Sequence, residues 1–215
     1  MTEPIPSLKA PRGGRQRQRT RSALISAGQA LFAARAVDSV TVDEIVDEAE
    51  VAKGSFYNHF NDKEALADAV YDLVQSDVEA QIVAANHHID DAPFRIARAL
   101  CTVIRYALDH PERLQALLSL DEQRSNVDSP LNTGVSADVR QGIDQGALRW
   151  VTSETGVLMV VGTIGSAVRH AMSGASHIPP PDLAEALAAA LLRALGVDPE
   201  RAQTLGKQAA RELLA

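Results

Sequence analysis

Between residues 41 and 66 the chain reads TVDEIVDEAEVAKGSFYNHFNDKEAL. This segment holds three of the few aromatic side chains in the protein (Phe 4, Tyr 3, Trp 1): Phe56, Tyr57 and Phe60, interleaved with Asn58 and His59. The Thr41–Glu44 spacing predicts a capping box, in which the threonine hydroxyl accepts from the third amide of a helix and the glutamate reaches back. That short helix turns Val42, Ile45, Val46 and Ala49 inward. A second short helix is expected from Lys53 to Phe60. Asn61 or Asp62 then stands where it can cap a longer helix running from about Lys63 into the 80s, with Leu66, Ala69, Val70, Leu73 and Val74 on its buried side.

Two short helices joined by a tight turn, the second polar on one side, have the form of a helix-turn-helix. On a helical wheel Phe56 and Phe60 are one turn apart and share an apolar face with Ile45 and Leu31. Lys53, Ser55, Asn58 and His59 then face outward, with Tyr57 at the edge, its ring packed and its hydroxyl free to reach a phosphate. A major-groove reader needs a rigid apolar back and short donors and acceptors in front, since Asn pairs with adenine and Lys donates to guanine. The same spacing also suits a helical hairpin whose polar side meets only water, and spacing alone leaves both readings open.

The flanking sequence adds a charge asymmetry. The chain as a whole carries a net charge of −7, which argues against general polyanion binding. Yet residues 1–35 hold Lys9, Arg12, Arg15, Arg17, Arg19, Arg21 and Arg35 against Glu3 alone, so the acidic excess lies entirely in the remainder. Such a distribution fits a basic arm on an acidic body, or equally a solvated tail. Residues 1–19, rich in Pro, Gly and alternating Arg/Gln, are expected to form a flexible arm. A helical period begins at Thr20 with Leu24, Ala27, Gly28, Leu31 and Phe32.

Beyond residue 66 no strand-like alternation appears. Helices are expected over about 92–109, 111–120, 135–147, 154–174, 180–195 and Pro199 to Leu214, with a loop at 126–134. The fold class is therefore all-α.

The same residues resemble the DNA-binding signature of the TetR/AcrR family of bacterial transcriptional regulators. The resemblance rests on the F-Y-x-H-F-x-x-K-E-x-L run within FYNHFNDKEAL, on TVDEI, and on ALISAGQALFAARA, which looks like that family's first helix. It covers about Thr20 to Leu66; the closing LLRALGVDPERA also looks similar, less specifically. It implies a flexible basic arm (1–19), a three-helix DNA-binding domain (20–66) and a larger helical ligand-binding and dimerisation domain (67–215).

By matched position it implies that Thr41, Tyr57 and Lys63 hold DNA phosphates. Lys53, Ser55, Asn58 and His59 become the base-edge readers, Gly54 allows close approach, and Arg15, Arg17, Arg19 and Arg21 follow the minor groove. Three positions depart from the family pattern: Ala36 and Glu50 stand where Gly is usual, and Ala52 where Ser or Thr commonly caps the recognition helix. A non-glycine residue in a left-handed turn, or a missing cap, each costs about 1 kcal/mol.

For the larger domain, Val157, Val161, Ile164 and Val168 on one helix and Leu183, Leu187 and Leu191 on the next are expected to form a four-helix dimer interface, with an ordinary intrachain core as the alternative. Arg105, Tyr106, His110, Trp150, Met159, Arg169 and His170 are the candidate ligand contacts among apolar helices. The implied protein is a homodimeric repressor, released from a palindromic operator by a small, largely apolar inducer. A ligand-independent architectural DNA-binding protein is the alternative.

Enzyme chemistry finds little support. His87, His88, Asp90 and Asp91 lack the Glu-x-x-His or His-Glu-x-x-His spacing of a metal site, and Cys101, the only cysteine, lies in an apolar helical stretch. No cofactor or metal is expected. The longest charge-free run, between Glu154 and Arg169, is shorter than the roughly 20 residues that span a bilayer, and no signal-peptide pattern is present, so no membrane partner and a cytoplasmic location are expected.

Overall fold

The computed structural model describes residues 12–121 and 132–214. Among them no strand occurs, and every regular element is helical: α1 (Arg12–Ala34), a 3-10 turn (Val37–Ser39), α2 (Val42–Glu48), α3 (Lys53–Tyr57), α4 (Lys63–Ala85), α5 (Ala92–Asp109), α6 (Pro111–Asp121), α7 (Thr133–Asp144), α8 (Ser153–Met172), α9 (Pro180–Ala194) and α10 (Pro199–Leu214).

The N-terminal helices close over one apolar centre in which Leu24, Phe32, Ile45, Phe56 and Leu66 are fully buried. The expected capping box forms: Thr41 Oγ1 accepts from the Glu44 amide at 3.2 Å, and Glu44 Oε2 accepts from the Thr41 amide at 2.8 Å. Arg35 adds an ion pair to the other carboxylate oxygen at 2.9 Å. Asp62, not Asn61, caps α4, its Oδ1 accepting from the Ala65 amide at 2.7 Å.

Two expectations need correction here. Helix α1 begins at Arg12 rather than near Thr20, so residues 12–19 are helical and not an irregular arm; Arg and Gln are good helix formers even where no apolar face demands a helix. Residues 1–11 of that arm lie outside the described residues. Helix α3 ends at Tyr57, three residues before Phe60. Phe60 keeps its buried place through a turn in which the amides of His59 and Phe60 both donate to the Phe56 carbonyl, at 2.9 Å each.

Helix α4 leads from this headpiece into the larger body. There α5 is the central element, packed by α4, α7, α8, α9 and α10 and buried along nearly its whole length. Helices α9 and α10 approach closely: at Gly206 a Cβ would lie 2.9 Å from the Ala189 amide nitrogen. Helix α6 packs on both α1 and α4, and so touches the headpiece from the body side. Most of the loop expected at 126–134 lies outside the described residues, and Thr133 and Gly134 already belong to α7.

The stripes assigned to a dimer interface divide. Val157, Val168 and Leu191 are 3%, 1% and 3% exposed. They pack into the subunit's own core and are not available to a partner. Val161 remains at the surface, with Ile164, Leu183 and Leu187 half-buried. Helix α8 is apolar on more than one side, and its period alone could not say which side faces inward.

Candidate nucleic-acid interface

Residues 53–59 form a polar ridge on an aromatic base. Phe56 is fully buried and Phe60 6% exposed, their ring centroids 5.9 Å apart. Tyr57 meets the edge of Phe56 at 5.3 Å with the rings nearly perpendicular, and 54% of it remains exposed. Lys53, Gly54 and Asn58 are exposed, and Ser55 and His59 are half-buried. Nothing lies within 4 Å of the position a Gly54 Cβ would take, so the backbone there is open to close approach. The helix that carries this ridge is marginal on its own terms, with five residues and no side-chain cap at Ala52. Its placement comes from burying Phe56 and from the capped helices on either side.

The departures from the family pattern separate in the same way. Glu50 sits at φ +52°, in the left-handed region that favours glycine. Ala36 does not: its φ of −59° and ψ of 146° are ordinary for an L-residue. The expected strain therefore falls on the turn before α3 and not on the end of α1.

Electrostatics modify several of the expected roles. Lys53 Nζ pairs with Asp43 at 2.6 Å across the exposed surface, and that carboxylate raises its pKa. Lys63 Nζ donates to the carbonyl oxygens of Asp38 and Val40, both at 3.1 Å, and so staples the 3-10 turn to α4. Thr41 Oγ1 likewise serves the capping box, donating to Glu44 at 2.9 Å. Both groups have partners inside the protein before any phosphate arrives.

Arg15, Arg17 and Arg19 are exposed along the first turns of α1. Arg21 lies over the Phe60 ring, 5.3 Å from its centroid. Partial burial, and then Arg17 and Arg21, lower the His59 pKa, which keeps the imidazole neutral at pH 7 and able both to donate and to accept.

The ligand candidates do not converge. Tyr106 is buried and donates to Asp77 at 2.8 Å; burial and then Asp77 push its hydroxyl up to about 12. His110 follows at the end of α5, its ring centroid 4.9 Å from that of Tyr106. Arg105 is half-buried on the same helix. Met159 and His170 instead line an open groove between α8 and α9 with Leu158, Leu183 and Leu187, and Arg169 is exposed on α8. Trp150 is 91% exposed and belongs to no interior site in the subunit.

Sequence reasoning missed other groups in the body. Arg98 of α5 is 8% exposed; its Nε and Nη2 donate to the Ala85 carbonyl at the end of α4, and it pairs with Glu212 of α10. Thr102, 1% exposed on α5, has a hydroxyl without a hydrogen-bond partner among the described residues. Cys101 is buried, and desolvation pushes its thiol up to about 12, so it is a protonated core residue at neutral pH. Among the described residues no group of three or more His, Cys, Asp or Glu could hold a metal ion, and no helix is long and apolar enough to cross a membrane.

The family profile for bacterial regulatory proteins of the tetR family matches residues 24–70, and that for the tetracyclin repressor-like C-terminal domain matches residues 91–208. The HTH-type transcriptional repressor DhaR of Mycobacterium sp. (strain GP1) is 34% identical over 89 residues, 41% of this chain and 45% of that protein. The chain thus spans about half the length of this curated relative.

Among solved structures, RolR in complex with resorcinol shares 24% identity, with a TM-score of 0.59 over 91% of this chain and 96% of that one. A gamma-butyrolactone receptor (ArpA-like protein) shares 21%, with a TM-score of 0.71 over 92% and 99%. At such identities these two likenesses speak for the fold. With both profiles matched in order and the helix-turn-helix in place, the chain belongs to the tetR family of bacterial regulatory proteins.

Proposed function

We propose that this chain is a homodimeric transcriptional repressor that binds a palindromic operator and is released from it by a small, largely apolar ligand. The observation that carries the reading is the ridge of Lys53, Gly54, Ser55, Asn58 and His59, polar and open above buried Phe56 and Phe60. Asn58 and His59 read base edges, Lys53 joins them by exchanging Asp43 for a base or phosphate, and Tyr57 holds a phosphate. Arg15, Arg17, Arg19 and Arg21, carried on helical turns, give sequence-independent attraction to the duplex. Thr41 and Lys63 position the reading helix from behind.

The dimer forms through α8 and α9, using the side chains left at the surface: Leu158, Val161, Ile164, Leu183 and Leu187. An isologous pair of such helices makes a four-helix interface. The ligand enters the body around α5, where the unpartnered Thr102 hydroxyl offers one polar contact within an apolar surround. The naming of DhaR as a repressor and the capture of RolR with resorcinol support a repressor responsive to a small molecule. Ligand must favour a conformation with altered headpiece separation, because only a differential affinity shifts the DNA-binding equilibrium.

Selection of bound genomic fragments by the purified protein, followed by release assays against a small-molecule library, tests this reading. The expected result is one enriched palindrome with half-sites about one helical turn apart, released by at least one apolar compound. Enrichment without any releasing compound would instead favour an architectural DNA-binding protein.

A further inference from the structure

We propose that Asp43 and Lys53 together read one G·C base pair in each half-site: Lys53 donates to guanine N7 and O6, and the Asp43 carboxylate accepts from the cytosine N4 amino group. The inference rests on the operator reading above and adds Asp43 as a residue that sets its specificity. Asp43 stands on α2 and Lys53 opens α3, with the lysine Nζ 2.6 Å from Asp43 Oδ1. The carboxylate therefore shares the side of the headpiece on which Lys53 presents its charge. The two side chains are 54% exposed for Lys53 and 68% for Asp43, so one base-pair edge can reach both.

The neighbouring acid is committed elsewhere, since Glu44 closes the capping box with Thr41 and pairs with Arg35. Ile45 and Val46 are buried, so α2 is fixed on the core and Asp43 leaves its outward side from a set place. Tyr57 follows Lys53 by one helical turn; Asp43 first, and Tyr57 last, raise the lysine pKa and keep the ammonium charged. An ion pair this exposed adds little to stability, so trading it for contacts to a base costs the fold little. The trade leaves a carboxylate facing a polyanion, which repels it whatever the sequence. A base that donates a hydrogen at that point offsets the repulsion, and one that presents an acceptor adds to it.

The chemistry of the pair names the base pair. In the major groove G·C shows two adjacent acceptors, guanine N7 and O6, and then one donor, the cytosine amino group. An ammonium beside a carboxylate is the complement of that row. With the pair reversed, the ammonium faces the amino group and the carboxylate faces guanine O6, so both contacts turn repulsive. A T·A pair gives the ammonium one acceptor fewer and sets adenine N7 near the carboxylate. Gly54, with nothing within 4 Å of its Cβ position, lets the base edge approach beside Lys53. Asp43 thus weakens binding to DNA in general and sharpens the choice at one position, because specificity is a difference of affinities.

The test is selection from a randomised duplex library by the full-length protein, by Asp43→Ala, by Lys53→Ala and by the double variant, each checked for an unchanged helical circular dichroism spectrum. Affinities for the selected duplex and for unselected DNA are then measured by fluorescence anisotropy. We expect the parent to enrich a half-site with G·C in a fixed orientation at one position. Asp43→Ala should lose about tenfold of that preference and bind unselected DNA more tightly. Lys53→Ala should lose the preference at the same position and bind unselected DNA more weakly, and the double variant should lose no more preference than either. If Asp43→Ala keeps every base preference, Asp43 is only a charge or a surface partner of Lys53, and the proposal is overturned with the operator reading intact. Loss of preference at different positions in the two single variants overturns it equally. A parent that enriches no sequence overturns the operator reading and this proposal together.

Discussion

Tyr106 on α5 donates its phenolic hydrogen to Asp77 Oδ2 on α4 over 2.8 Å. Arg113 on α6 reaches the same oxygen at 2.8 Å, so one carboxylate ties three helices where the body meets the headpiece. Helix α4 continues into the DNA-binding end, and α6 packs on α1. Tyr106→Phe is expected to cost about 1 kcal/mol, the usual worth of a hydrogen bond, because Arg113 still satisfies the carboxylate. Asp77→Ala should cost more, about 2 kcal/mol, because it strands a buried hydroxyl as well as removing the ion pair. Urea denaturation of the two variants checks the order; an Asp77→Ala protein as stable as the parent would show that the tie carries no stability.

The left-handed turn before α3 gives a paired prediction. Glu50→Gly removes the Cβ from a φ of +52° and should stabilise the protein by about 1 kcal/mol. Ala36→Gly, at a φ of −59°, should instead destabilise slightly, because glycine adds freedom to the unfolded chain without relieving strain. Thermal unfolding of both variants decides it; equal effects would place the strain elsewhere.

The Thr102 hydroxyl is buried and has no hydrogen-bond partner among the described residues. Replacing it with the isosteric methyl in Thr102→Val should raise stability by up to about 1 kcal/mol in the free protein, since desolvation of the hydroxyl is no longer opposed to folding. If that hydroxyl serves the ligand, the same variant should need more of a releasing compound to leave DNA. A loss of stability in Thr102→Val would mean that the hydroxyl has a partner in solution.

Acid should act on the capping box. Hydrogen bonds from Thr41, backbone first, and then Arg35 hold the Glu44 carboxyl at about 2, below its ordinary 4.5. A depressed folded-state pKa contributes stability above 4.5, and this contribution fades as pH falls toward 2. Glu44→Gln retains a capping side chain but cannot titrate there. Its stability should fall less steeply than the parent's below pH 4.5, in denaturation curves taken across that window; parallel slopes would remove Glu44 from the acid response.

The elements most legible in the sequence are those whose ends carry their own chemistry. Thr41 and Glu44 announce α2, and Pro199 opens α10 at the expected residue. The start of α1 was hidden because Arg and Gln between residues 12 and 19 show no apolar period, although they favour helix. Phe60 extended α3 on the page because its spacing from Phe56 is helical, while in space a turn delivers the same ring to the same core. The interface stripe was misread at Val157, Val168 and Leu191 because α8 and α9 have apolar residues both inward and outward. The effector site was the least legible. Tyr106, Met159 and Trp150 stand in the sequence as large groups among apolar helices, and only packing sends one to the core, one to a groove and one to solvent.

The central claim, that side chains 53–59 face nucleobases, is tested most directly by Asn58→Ala and Tyr57→Phe on the selected operator and on random DNA. Asn58→Ala should lose roughly 1–3 kcal/mol on the operator, and discrimination at one base pair in each half-site, while keeping its grip on random sequence. Tyr57→Phe should weaken both targets alike. Equal losses on both targets for Asn58→Ala, or no loss at all, would contradict the account.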